Sequence, residues 1–111
     1  MEKVYNKLVR DKIPEIIKGN NGTPMIRILD DNEYKQKLEE KLYEEYLEVL
    51  VTTTTEERIE ELGDMLEIIS TLAKLENKTI EDIINIAKQK QEKRGGFIEK
   101  IFLEKVIEPD N

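Results

Sequence analysis

The chain has no cysteine, no histidine and no tryptophan. Without cysteine there is no disulfide, no thiolate metal site and no sulfur nucleophile, which fits a reducing compartment. Without histidine there is no imidazole zinc site and no side chain that ordinarily exchanges protons near neutrality. With only two phenylalanines, the core must come mainly from Leu, Ile and Val. No apolar run is long enough to span a bilayer, and the N-terminus carries no signal-peptide core, so a cytoplasmic location without membrane association is expected. The net charge of -7 argues against stable nucleic-acid binding, which relies on a positive surface. An anionic small molecule that arrives with its own metal ion remains compatible with that charge.

What is abundant is carboxylate. Charged residues make up 39% of the 111 positions, and a chain of this length predicts one domain over residues 1–111. Capping patterns divide it. Pro14 fits the first turn of a short helix, with Asp11 as its candidate cap. GNNGTP then reads as a loop, and Met25 to Leu29 as a short strand. Asp30 with Glu33 opens a helix over about 32–51, and the threonines at 52–55 end it. Thr54 with Glu57 opens a second, reaching about residue 76; Thr79 with Asp82 opens a third, reaching Arg94 before Gly95 and Gly96. The tail FIEKIFLEKVIE alternates in part and predicts a strand or hairpin arm.

Two acidic pairs interrupt apolar stripes. In the first long helix the stripe runs Leu38, Leu42, Glu45, Val49. In the second it runs Glu61, Asp64, Ile68, Leu72, Leu75. Residues three and four apart share a helix face, and an acid facing a core is costly unless a positive charge neutralises it. Glu45 with Glu48, and Glu61 with Asp64, therefore point to a metal ion between two antiparallel helices. A carboxylate-only donor set suits magnesium or manganese. Other acids, Glu39, Glu40, Glu56, Glu57 and Glu60, read as a solvated surface. Gly63 sits mid-helix, where glycine costs about 1 kcal/mol against alanine, and allows close helix approach.

Basic residues fall into two groups, Lys7, Arg10 and Lys12 near the start and Lys88, Lys90, Lys93 and Arg94 at the end of the last long helix. Lys90 and Arg94 are i, i+4 and project together. Two roles stay open for them, complementing the helix dipole or contacting phosphate. The second long helix has a further apolar stripe, Ile59, Leu62, Leu66 and Ile69, more than a small chain covers, so a subunit interface is expected.

EEYLE, followed thirteen residues after its last glutamate by the start of ELGD, resembles the EExxE…ExxD signature of the all-α nucleoside triphosphate pyrophosphatases, the MazG-like superfamily. YNKLVRDKIPEII and KRGGF resemble its phosphoribosyl-ATP pyrophosphohydrolase-like subgroup. The resemblance implies an all-α antiparallel helical bundle of about four helices, here with short peripheral β segments. It implies metal ligands at Glu45, Glu48, Glu61 and Asp64, with Glu44 and Glu45 in catalytic roles, Glu44 either polarising water or supporting the ligands from behind. It implies magnesium-dependent cleavage between the α and β phosphates of a nucleotide, a house-cleaning reaction yielding the monophosphate and pyrophosphate. Lys90 and Arg94 match a KxxxR pair that holds phosphates in some relatives; apart from the resemblance, Arg10 and Lys12 are further candidate substrate contacts, and the expected phosphate site if Arg94 is only a helix-end cation. A homodimer or dimer of dimers is implied as well. Two other functions compete, an acidic helical module that docks on a basic protein and a structural homo-oligomer without activity.

Overall fold

The computed structural model describes residues 1–110 and contains four helices, α1 (Ile13–Gly19), α2 (Asp31–Leu50), α3 (Thr55–Leu75) and α4 (Ile80–Arg94). The chain divides into two compact units, Met1–Thr79 and Ile80–Asn111. Among the described residues no helix is long and apolar enough to cross a membrane.

The boundaries of α2 and α3 follow from their caps. The Asp30 carboxylate accepts from the Glu33 amide at 2.9 Å, and the Thr54 hydroxyl accepts from the Glu57 amide at 3.1 Å. Each thereby satisfies an amide that the first helical turn leaves without a partner. Glu57 reaches back to accept from the Thr53 amide at 3.2 Å. At the far end of α2, the Val49 carbonyl accepts from the Thr52 hydroxyl at 2.8 Å and from the Arg58 guanidinium at 3.1 Å. A residue of α3 thus closes the end of α2 and fixes the short link between them.

Linked this tightly, α2 and α3 pack on one another as an antiparallel hairpin. Its interior holds Leu38, Val49, Ile68 and Ala73. Leu38, Val49 and Ile68 lie on the two stripes that also carry Glu45, Glu61 and Asp64, so the acids enter the helix–helix seam with them, while Ala73 continues the other stripe of α3. That other stripe is open at Ile59, 63% exposed, and at Leu62 and Leu66, each 50% exposed, and is covered only from the half-buried Ile69 onward.

Two expectations are corrected. Lys12, not Asp11, is the N-cap of α1, and no side chain caps that helix. Pro14 in the first turn has no N–H to satisfy, which lessens the need for a cap. More consequentially, the expected peripheral β segments are absent: among the described residues there is no strand. Met25–Leu29 and the tail after Gly96 are extended or irregular. Apolar alternation makes a strand only where a neighbouring backbone completes its hydrogen bonds, and neither segment has such a neighbour. Lys100 also adopts φ 63°, which breaks the alternation in the tail. Near residue 27, side-chain charge supplies the anchor instead: Arg27 donates to both Glu33 carboxylate oxygens at 2.9 and 2.6 Å. That pairing raises the Arg27 pKa and lowers that of Glu33.

Within the second unit, α4 ends at Gly95, which takes φ 81° while its amide donates to the Gln91 carbonyl at 2.8 Å. Glycine adopts that left-handed conformation without the penalty other residues meet.

Candidate metal centre

Glu45 on α2 and Glu61 and Asp64 on α3 each offer a carboxylate oxygen, and the three oxygens lie within 4.8 Å of one another. One turn of α3 supplies two of the donors, because residues 61 and 64 share a face, and the antiparallel neighbour supplies the third. All three residues are half-buried. Glu45 is more enclosed than Asp64, its side chain 14% exposed against 41%. Such a group of hard oxygen donors, partly withdrawn from water, could coordinate a divalent cation.

The electrostatics agree with that chemistry. The carboxyl of Glu61 is pushed up to about 7, first by a hydrogen bond with Glu45 that requires a proton between the two groups. Burial, then the negative charges of Glu45, Asp64 and Glu48, push it further in the same direction. Carboxylates this close resist full ionisation until a cation joins them. Two basic side chains already supply part of that charge. Arg10 donates to Asp64 at 2.7 Å, and Lys41 lies 3.8 Å from Glu45 and 3.7 Å from Glu44.

The other anticipated site residues are placed differently. Glu48 is exposed and outside the three-oxygen cluster, although its charge is felt at Glu61. Glu44 is exposed beside Lys41. Lys12 is exposed at the start of α1. Lys90 and Arg94 do come together, on one side of α4, where they line a shallow groove with Ile84, Ala87 and Phe97. The Arg10–Asp64 pair was not anticipated. The two residues stand 54 positions apart, beyond any helical spacing rule. Lys41 had a visible signal, since it precedes Glu45 by four residues on one helix.

No family model matches the chain, and no solved structure matches it. An uncharacterized protein of Mycolicibacterium smegmatis is 44% identical over 54 residues, which cover 49% of this chain and 55% of that protein. The match therefore spans about half the length of each.

Proposed function

We propose that the chain is a magnesium-dependent nucleotide pyrophosphohydrolase, MazG-like in its motifs, acting in the cytoplasm. The supporting observation is the convergence of the Glu45, Glu61 and Asp64 carboxylates within 4.8 Å, with the Glu61 carboxyl held protonated to higher pH by its hydrogen bond to Glu45, by burial and by the neighbouring negative charges. In this reading those three residues hold magnesium, or manganese in its place, and Glu48 at the rim adds negative charge. The cation supplies neutralisation of phosphate charge. Glu44 orients the attacking water and accepts its proton. The water oxygen bonds to the α phosphorus, the bond from that phosphorus to the bridging oxygen breaks, and pyrophosphate leaves the nucleoside monophosphate. Lys90 and Arg94 hold phosphate oxygens, a task for which the planar guanidinium is suited, and Arg10 and Lys12 are further contacts. Arg10 serves twice on this account, as partner to Asp64 in the free protein and as a phosphate contact when substrate is present.

The reading includes self-association as a homodimer or dimer of dimers, supported by the uncovered Ile59, Leu62 and Leu66 stripe. The deciding experiment measures pyrophosphate release from a panel of canonical and modified nucleoside triphosphates, with magnesium and with chelator. Release with at least one nucleotide, lost on chelation, is the expected result. No release from any member, together with tight capture of a basic protein, would replace the enzyme with an acidic docking module.

A further inference from the structure

Within the second unit, the later turns of α4 and the bend after them form an open groove of about 550 Å³. Small-molecule sites occupy roughly 300–1,000 Å³, so the groove is of a size to hold one. Ile84 and Ala87, three apart on one helix face, give it an apolar stretch. Lys90 and Arg94 line it farther along the same helix. Gly95, at φ 81°, turns the chain out of the helix, and Phe97 lines the groove from the bend that follows.

Charge and exposure together indicate the occupant. From residue 88 to residue 94 four cations, Lys88, Lys90, Lys93 and Arg94, stand against one acid, Glu92, in a chain whose net charge is -7. The helix dipole accounts for cations in the last turn, Lys93 and Arg94, but its pull has faded by Lys90. Among the described residues, neither Lys90 nor Arg94 is paired with a carboxylate. An anion therefore meets positive charge that the protein has not already neutralised. The Phe97 ring is 99% exposed, so nothing of its own chain covers it, and it stands ready to stack on another planar ring. An anion with a flat aromatic body satisfies both features, and a nucleotide is such a molecule. A nucleic-acid strand calls for a run of stacking side chains on a positive surface, whereas this groove offers one ring on an acidic chain.

We propose that Phe97 is the base-stacking residue of a nucleotide site in this groove, with the phosphates held by Lys90 and Arg94. The proposal rests on the nucleotide reading above and adds to it the group that receives the base. Stacking engages the face of a base rather than its hydrogen-bonding edges, so the site takes purine and pyrimidine nucleotides alike.

The full-length protein in chelator allows binding to be followed without turnover. Because the chain has no tryptophan, Phe97→Trp introduces a single reporter. ATP and CTP should each quench its emission. Tripolyphosphate, which has no base, should leave the emission of the free variant unchanged and should reverse the quenching by ATP. In calorimetry, Phe97→Ala should weaken ATP and CTP binding about tenfold, the scale of one lost stacking contact. It should leave tripolyphosphate binding within twofold of the parent chain. Phe97→Tyr keeps a ring and should hold ATP within twofold, while Arg94→Gln should weaken all three ligands. Phe97 is solvated, so these variants should keep the fold, which circular dichroism checks. Unchanged ATP binding in Phe97→Ala, an equal loss of tripolyphosphate, or no nucleotide binding by the parent chain overturns the proposal.

Pyrophosphate release separates this site from the enzymatic reading. Nucleotide that binds at Phe97 but is never cleaved defeats the enzyme and leaves the site. Magnesium-dependent release with full kcat/KM in Phe97→Ala defeats the site and leaves the enzyme.

Discussion

The α2–α3 hairpin and the segment after Gly96 are both rich in large apolar side chains, yet only the hairpin buries any of them. Each helix of the hairpin completes its own backbone hydrogen bonds and needs from its neighbour only a matching face. The segment after Gly96 has no such internal solution. Apolar content alone therefore does not make a core; a segment must also have somewhere to place its amides and carbonyls.

The sharpest way to break the comparison is to put the same charge into both regions. Ile68→Asp should cost more than ~3 kcal/mol and unfold much of the protein, because the carboxylate enters the packed seam without a partner. Phe102→Asp should change stability by less than ~0.5 kcal/mol, because Phe102 is solvated. Chemical denaturation of both variants checks the pair, and equal losses would remove the distinction.

Within the hairpin, the acids behave unlike their apolar neighbours. On the proposed function, Asp64→Asn should reduce magnesium-dependent turnover by at least ~100-fold with the fold intact, because the substitution weakens a carboxylate assigned to the cation rather than a packing contact. Circular dichroism and pyrophosphate release, measured together, separate the two effects. Arg94 supplies the contrast in the second unit: Arg94→Ala should cost ~1.5–3 kcal/mol in kcat/KM and leave thermal stability nearly unchanged. A lowered melting temperature with kcat/KM preserved would make Arg94 a helix-end cation only.

The gentlest probe is pH. Glu61 is raised from 4.5 to about 7 in the folded chain, so between those values the folded state holds a proton that the unfolded state has released. Its contribution to stability is present in full below the unfolded value and is lost as pH rises through the folded one. The melting temperature of cation-free protein should therefore fall from about pH 4.5 to about 7, and Glu61→Gln should flatten that fall. A profile identical in the two proteins would mean that Glu61 titrates normally.

Legibility in the sequence followed the range of the interactions. Asp30 with Glu33 and Thr54 with Glu57 mark helix starts because cap and capped amide are three residues apart, and Gly95 marks an end for a similarly local reason. Glu45, Glu61 and Asp64 were legible as interruptions of apolar stripes. Glu48 was not separable from them by periodicity, because it sits only one turn from Glu45. The strands failed for the opposite reason. Alternation in Met25–Leu29 and the tail is local, but the partner that would make either a strand is not. Arg10 with Asp64 is a contact of the same distant kind, and no spacing could disclose it.

The bond from Arg58 to the Val49 carbonyl has a consequence in time as well as in shape. It joins residues nine positions apart, so little loop-closure entropy opposes it, and contacts between near neighbours in sequence form early. The turn between α2 and α3 is thus suited to act as the folding nucleus of the hairpin, bringing Glu45 and Glu61 into line as the helices lengthen. Arg58→Ala should slow refolding more than it speeds unfolding, which stopped-flow kinetics would resolve.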